Sequence, residues 1–259
     1  TPLPATATRT HTPTVTKTNT PTATKTNTPT ATNTSSPRLS DREAIFYFAD
    51  WGAVPQFGGG VTPVPGSILE VADIVPFVNK ITVINYAFIA PDQNGNCYFI
   101  TPDSLAHVGK APYTQVGIPN QLAALRADYP HLKLMFSVGG WTDSDWFSVV
   151  AADPTKRANF ISSCMGIMNQ YAFDGIDIDW EHPLVGGENL YATPYVNAND
   201  PQNYVNLLQQ FRAQLGTGKR LSVAVAAASY AYRWLMPQEM AQYLDTFNLM
   251  TYDLHGQWD

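Results

Sequence analysis

Residues 173–181 read FDGIDIDWE, a stretch in which acidic and bulky apolar side chains alternate. Because side chains alternate between the two faces of a β-strand, this pattern predicts a strand with Asp177, Asp179 and Glu181 on one face. The isoleucines and the tryptophan between them lie on the opposite face, where they would pack against helices. The sequence therefore predicts a buried strand that carries a row of carboxyl groups, about 6.5–7 Å apart.

Neighbouring carboxyl groups on a buried face are unfavourable because like charges that close cannot all ionise at neutral pH. At least one should hold a proton at pH 7, which is what a general acid requires. A divalent-cation loop is one alternative, but the apolar residues between the acids favour a strand over a loop. The same residues argue against a solvated edge strand. We therefore expect an acid–base site without a metal or a cofactor.

Five further apolar stretches predict strands, at residues 44–49, 81–90, 133–138, 221–228 and 247–252. Between them, apolar residues recur at helical spacing, as at Phe160, Cys164, Ile167, Met168 and Tyr171. Strands that alternate with helices indicate parallel βαβ units. The nearly continuous apolar strands indicate a sheet covered on both faces. Two α/β architectures fit this pattern, a doubly wound open sheet and a (β/α)₈ barrel.

Residues 1–37 differ from the rest of the chain in composition, with 16 Thr, 6 Pro and no aromatic or acidic residue. The octet TKTNTPTA at residues 16–23 repeats unchanged at residues 24–31. An octet without a large apolar residue cannot bury a core, and its Pro and Thr content favours an extended, polyproline-like chain. We predict a disordered linker, with a dispensable tail as the alternative.

Charge and cysteine content exclude several functional classes. The formal net charge is −6, with all 21 acidic residues outside the first 37, so the body is a poor ligand for nucleic acid. No apolar run reaches the roughly 18 residues needed to span a bilayer. Cys97 and Cys164 lack metal-ligand spacing. Cys164 lies on an apolar helical stripe and is predicted to be a buried thiol, and the sequence leaves open whether it bonds to Cys97.

The segment DGIDIDWE at 174–181 resembles the D-x-x-D-x-D-x-E signature of glycoside hydrolase family 18, the chitinase family. Four other segments are similar to motifs of that family in the same order, namely YFADW at 47–51, YAF at 86–88, SVGGW at 137–141 and MTYD at 250–253. The resemblance covers the body of the chain, residues 38–259. It implies a (β/α)₈ barrel with the active site at the C-terminal ends of the strands.

The resemblance also implies a retaining mechanism in which the N-acetyl group of the substrate is the nucleophile. Glu181 would be the general acid and later the base that activates water. Asp179 would hydrogen-bond the acetamido N–H, and Asp177 would share a proton with Asp179. Tyr252 would donate a hydrogen bond to the acetamido carbonyl oxygen.

Further positions match substrate-binding residues of the family: Tyr47, Phe88, Trp141, Met250, Asp253 and Trp258. The alternative for any single aromatic residue is core packing. Trp51, Trp146 and Trp234 are left without a role. His182 departs from the family, which often has tyrosine after the catalytic glutamate. Gly139 and Gly140 are interpreted as a site of close backbone approach rather than a phosphate cradle.

We expect a secreted, extracellular and monomeric chitinase that acts on chitin or chito-oligosaccharides, β-1,4-linked polymers of N-acetylglucosamine. An endo-β-N-acetylglucosaminidase that acts on N-glycans would need the same catalytic residues. A chitin-binding lectin with a barrel fold is a third alternative, although such members usually lack the acid that Glu181 provides. Only six strands are predicted where a barrel needs eight, so the catalytic body looks truncated. The linker suggests a carbohydrate-binding module tethered upstream.

Overall fold

The computed structural model describes residues 42–53, 68–189, 192 and 194–256. The predicted linker at residues 1–37 and the predicted sugar-binding residue Trp258 lie outside the described residues.

Six parallel strands form the main sheet in the described part of the chain. They are β1 (Ile45–Ala49), β2 (Val83–Pro91), β4 (Lys133–Gly139), β5 (Gly175–Asp179), β6 (Arg220–Ala226) and β7 (Thr246–Met250), and they are neighbours in that order. These strands confirm the six that the sequence predicts. An additional strand, β3 (Cys97–Phe99), pairs antiparallel with β2. Its three residues are too few to produce a periodic signal.

Helices follow most of the strands and cover the outer face of the sheet. They are α1 (Asp103–Ala106), α2 (Ile118–Asp128), α3 (Phe147–Ala152), α4 (Pro154–Gln170), α5 (Asp200–Leu215), α6 (Ser229–Tyr232) and α7 (Pro237–Met240), with 3₁₀ segments at Asp50–Gly52 and Val71–Lys80. The start of α4 is capped by the Asp153 carboxylate, which accepts from the N–H groups of Thr155 and Lys156. None of the described helices has the length and apolar character needed to cross a membrane.

The hydrophobic core lies between the sheet and these helices. Ile176 and Ile178 of β5 are fully buried in it, as the alternating pattern predicts. Trp180 stacks on Phe147 with a centroid distance of 5.4 Å and packs against Tyr204 at 5.0 Å. The apolar face of the strand is therefore held by α3 and α5, and its acidic face is turned to the other side of the sheet.

The sheet is curved, and its first and last strands meet through side chains. The Asn248 amide of β7 donates to the Tyr47 hydroxyl of β1 at 3.1 Å, and both groups donate to the Asp177 carboxylate of β5. Contacts between the two ends of the strand order require the sheet to curl around a common interior. The structure thus decides for a partial (β/α)₈ barrel over an open doubly wound sheet.

A disulfide bond joins Cys97 of β3 to Cys164 of α4, with 5.4 Å between the Cα atoms. Cys164 is buried, as predicted, but the prediction of a thiol at this position is wrong. The error follows from the missed strand, because the turn from β2 into β3 is what brings Cys97 to the helix. The bond ties the antiparallel extension of the sheet to the helical layer.

We predict that replacing both cysteines, Cys97→Ala with Cys164→Ala, lowers the free energy of unfolding by about 2–4 kcal/mol, because the bond closes a loop of 67 residues. Urea unfolding under non-reducing conditions measures this effect. Reductant should move the wild-type midpoint towards that of the variant and leave the variant unchanged. Equal midpoints for the oxidised wild type and the variant would contradict a stabilising role.

Candidate active site

A cleft of about 1040 Å³ opens where the parallel strands end. Most of the residues that the sequence assigns to the site line this cleft: Phe88, Trp141, Asp179, Glu181, Met250, Tyr252 and Asp253. They lie in the C-terminal parts of four strands, β2, β4, β5 and β7, or just after them, so the parallel arrangement brings the separate motifs to one end of the barrel. Asp177 and Tyr47 do not line the cleft and lie further inside the barrel.

Asp177 is fully buried, and four side chains donate hydrogen bonds to its carboxylate. The donors are the hydroxyls of Tyr47, Ser137 and Ser222 and the amide of Asn248. An ionised carboxylate offers about four acceptor positions, so these donors occupy all of them. Burial raises the pKa of Asp177, and the four hydrogen bonds oppose that rise. Asp179 is not among the partners, so the proton sharing that the resemblance implies stays a prediction.

Asp179 has the opposite surroundings, although it lies only two residues further along β5. It is 4% exposed, and its Oδ1 atom is buried without a hydrogen-bond partner. Burial raises its pKa well above the ordinary value, and the negative charges of Glu181 and Asp177 add to the effect. Desolvation and like charge therefore favour the neutral acid at a position that faces the cleft.

Glu181 lies at the mouth of the barrel, half-buried. Burial and the negative charge of Asp253 raise its pKa to about 7. The adjacent His182 is buried, which lowers its pKa to about 4. Its Nε2 atom lies 3.5 Å from Oε2 of Glu181, so at neutral pH an uncharged ring, rather than a cation, stands beside the acid. Glu181 can therefore hold a proton in the neutral range and release it there.

Two glycines allow the end of β4 to approach β5. Gly139 and Gly140 have φ values of 112° and 85°, and the Gly140 N–H donates to the Asp179 carbonyl at 2.9 Å. A Cβ atom on Gly139 would lie 2.2 Å from that carbonyl oxygen. These contacts confirm the interpretation of the two glycines as a site of close backbone approach.

Aromatic side chains form the walls of the cleft. Trp141 is 41% exposed there, and Phe88 stacks on Trp51 with a centroid distance of 5.8 Å. A shift in strand register between Tyr86 and Ile89 accompanies the placement of Phe88 in the cleft. Trp51 belongs to the YFADW motif, but the sequence analysis assigned it no role. The structure places it in the cleft wall.

Tyr47, which the resemblance assigns to sugar binding, does not line the main cleft, and its role in substrate binding stays a prediction. It lines a smaller cavity of about 430 Å³ that shares Phe88, Asp179 and Tyr252 with the cleft. Its hydroxyl donates to Asp177 at 2.8 Å. Tyr252, in contrast, stands at the rim and is 64% exposed. The structure thus gives Tyr47 an orienting contact with a carboxylate inside the barrel.

Asp50 is a site residue that the sequence reasoning missed. It is fully buried yet borders the cleft, and it accepts hydrogen bonds from Thr101 at 3.0 Å and from Tyr86. Burial raises its pKa to about 6. The available signal was its position in the YFADW motif, where an acidic residue interrupts an apolar stretch. Among the residues that the structure describes, no group of His, Cys, Asp and Glu is arranged to hold a metal ion.

A partial (β/α)₈ barrel whose aromatic cleft contains two carboxyl groups with raised pKa values fits a glycoside hydrolase. The sequence model of glycosyl hydrolases family 18 matches residues 43–259, and the chain belongs to this family.

Individual relatives agree with this assignment. Chitinase A1 of Niallia circulans is 32% identical over 254 residues, a match that covers 82% of this chain and 34% of the relative. Chitinase 1 of Aphanocladium album is 31% identical, with 82% and 48% covered. The crystal structure of the Ostrinia furnacalis Group IV chitinase superposes with a TM-score of 0.68 at 30% identity, covering 85% and 53%. The same chitinase in complex with allosamidin gives a TM-score of 0.67.

The chain spans between one third and one half of the length of these curated relatives.

We predict that Gly139→Ala unfolds or strongly destabilises the protein, because the new Cβ would meet a backbone oxygen at 2.2 Å and φ is positive. Gly166→Ala is the matched control, since a Cβ there meets nothing within 4 Å and the residue lies within α4. The control should gain about 0.5–1 kcal/mol from helix propensity. Thermal unfolding of both variants measures the contrast, and equal midpoints would refute the close approach.

Proposed function

We propose that the protein is a chitinase that hydrolyses β-1,4-linked N-acetylglucosamine polymers by a retaining, substrate-assisted mechanism. One observation carries the proposal: the three carboxyl groups on β5 and just beyond its end have three different environments. Asp177 is saturated with hydrogen bonds, Asp179 has an unpaired buried oxygen, and Glu181 has a pKa of about 7. Each environment suits a different task at a glycosidic bond.

Glu181 is the proposed general acid. A carboxyl with a pKa of about 7 is protonated in an appreciable fraction of molecules at neutral pH and gives up its proton readily. It would protonate the oxygen of the scissile bond and later take a proton from the attacking water. Because the ring of His182 beside it is uncharged at neutral pH, it does not stabilise the ionised form of Glu181 electrostatically.

Asp179 is the proposed partner of the acetamido N–H of the sugar. Its Oδ1 atom is buried at the cleft without a hydrogen bond, and a substrate amide would satisfy it. Asp177 is unsuited to nucleophilic attack because it does not line the cleft and its oxygens are already engaged. This arrangement supports attack on the anomeric carbon by the carbonyl oxygen of the substrate's own acetamido group, with Tyr252 donating to that oxygen. The new bond would form as the bond to the leaving sugar, protonated by Glu181, breaks, and water would then open the resulting oxazolinium ion.

The cleft supports an oligosaccharide rather than a small ligand. Its volume of about 1040 Å³ reaches the upper end of the pocket sizes seen for compact ligands. Trp141, Trp51 and Phe88 present ring faces and edges to it, and such rings suit the apolar faces of pyranoside units. Met250 and Asp253 line the same cleft, so we assign them to sugar binding together with Trp258.

We also propose that the protein is exported from the cell and that the barrel is one module of a larger chain. The disulfide between Cys97 and Cys164 is typical of proteins that mature in an oxidising compartment. Thr-Pro tracts such as residues 1–37 are common O-glycosylation substrates in exported proteins. As a linker, this segment would connect the monomeric barrel to a carbohydrate-binding module, which raises the local concentration of the barrel on solid chitin.

We predict that the full-length protein releases chito-oligosaccharides from colloidal chitin and leaves an N-glycoprotein intact. A fully deacetylated polymer should not be cut at a comparable rate, because it lacks the acetamido nucleophile. Product analysis by mass spectrometry on the three substrates tests these points. Release of glycans from the glycoprotein alone would favour an endo-β-N-acetylglucosaminidase, and binding to chitin without products would favour a lectin.

We predict that Glu181→Gln lowers kcat by at least about 10²-fold, because positioned acid–base catalysis is typically worth 10²–10⁴. In the wild type, kcat/KM should fall as pH rises through about 7, since the acid must be protonated to donate. Asp253→Asn removes a negative charge that raises this pKa, so it should move the alkaline limb to lower pH.

Glu188→Gln is the control for both variants, because Glu188 is exposed on the loop after Glu181 and does not line the cleft. Near-normal turnover of Glu181→Gln would refute the acid assignment. An alkaline limb that stays in place in Asp253→Asn would refute the electrostatic origin of the pKa.

A further inference from the structure

Ser144 lies in the loop between β4 and α3 and is almost fully buried. Its Oγ atom accepts a hydrogen bond from the backbone N–H of Glu181 at 2.9 Å. The hydroxyl in turn donates towards the carbonyl oxygens of Gly140 at 2.8 Å and Asp179 at 3.1 Å. One side chain therefore joins the loop after β4, the last residue of β5 and the residue proposed as the acid.

The hydrogen bond between the Glu181 N–H and Ser144 lies just beyond the end of the paired strands. The last paired residues of β4 and β5 are Gly139 and Asp179, and the Gly140 N–H extends the pairing by one bond to the Asp179 carbonyl. Glu181 lies two residues beyond the strand end, where the sheet no longer determines the direction of the backbone. The Ser144 hydroxyl takes the place of a strand neighbour at that residue.

A second set of contacts joins the same two loops further out. The Glu188 N–H donates to the Trp141 carbonyl at 3.2 Å, and the Asn189 amide donates to the Asp145 carboxylate at 2.6 Å. A Cβ on Gly187 would lie 2.1 Å from the Trp141 carbonyl oxygen, so the loops touch at the backbone. The loop that carries Trp141 and the loop that carries Glu181 thus form one unit, with Ser144 at its inner end.

We propose that Ser144 is a positioning residue for the acid–base step, because its hydroxyl fixes the peptide nitrogen of Glu181 and so aims that carboxyl relative to Trp141. This inference rests on the proposed function, in which Glu181 protonates the scissile bond and Trp141 holds a sugar. Ser144 does not line the cleft, so it acts through Glu181 and touches no substrate. If the Glu181 carboxyl loses this orientation, kcat should fall more than affinity, since the binding surfaces remain.

The pH profile separates positioning from a general effect on stability. The groups that face Glu181 are Asp179 of β5, the neighbouring His182, and Tyr252 and Asp253 after β7. If the backbone of Glu181 loosens, water reaches the carboxyl and weakens the burial that raises its pKa. The alkaline limb of the kcat profile should then move to lower pH.

The test compares Ser144→Ala with Ser163→Ala in the full-length protein. Ser163 makes the same kind of contact elsewhere: its Oγ accepts from the Cys97 N–H at 2.9 Å and donates to the Phe160 carbonyl at 3.1 Å. We expect Ser144→Ala to lower kcat on chito-oligosaccharides by about 10- to 100-fold, with KM changed less than about threefold. Ser163→Ala should keep wild-type kcat, KM and pH profile while showing a comparable shift in thermal midpoint.

Ser144→Thr retains a hydroxyl and should recover most of the lost kcat. It also provides a second variant for the test if Ser144→Ala does not fold. Wild-type kcat and an unmoved alkaline limb in a folded Ser144→Ala variant would overturn the inference, as would equal losses in the alanine and threonine variants. These outcomes are read only against an active wild type. A wild type that does not cut chito-oligosaccharides would instead refute the proposed function.

Discussion

The interior of this barrel depends on the solvation of one buried carboxylate. Asp177 has no contact with water, and an unpaired charge there would destabilise the fold by several kcal/mol. Its four donors come from β1, β4, β6 and β7, so the carboxylate is satisfied only when those strands curl around β5. These hydrogen bonds therefore form only in the curved sheet, the same sheet that brings the ends of the strands together.

The chemistry of the site follows from a gradient along β5. At Asp177 the protein supplies every hydrogen bond, at Asp179 it supplies none to one buried oxygen, and at Glu181 part of the side chain reaches the cleft. Moving outward by two residues at a time changes the balance between desolvation, like charge and hydrogen bonding. Three carboxyl groups of the same chemical type thereby have three environments: Asp177 is saturated with hydrogen bonds, Asp179 has a buried oxygen without a partner, and the pKa of Glu181 is raised to about 7. The loop contact at Ser144 extends this order to Glu181, which lies beyond the last paired residue.

Features with local periodicity were predictable, and features that depend on distant contacts were not. The six parallel strands, the helix around Phe160 and the outward-facing Ile176 and Ile178 all follow from side-chain spacing. β3 was not predicted, because three residues are too few to show a periodic pattern. Without β3, the disulfide bond between Cys97 and Cys164 could not be predicted either. The resemblance to the family placed Tyr47 at a sugar-binding subsite, which stays a prediction. Its hydrogen bond to Asp177 joins residues 130 apart along the chain, and no local pattern predicts it.

By itself, the sequence determined the acidic row, the strands that carry the motifs and the family to which those motifs belong, since each is written in consecutive residues. The strand and helix pattern left an open sheet and a barrel both possible, and the motifs pointed to the barrel that the tertiary contacts confirm. Tertiary structure alone placed Asp50 and Trp51 at the cleft and Ser144 beside Glu181. It also created the surroundings that raise the pKa of Glu181 to about 7 and the pKa of Asp179 well above its ordinary value. The physical reason is that burial and neighbouring charge set a pKa, and both are properties of side chains that meet only after the chain has folded.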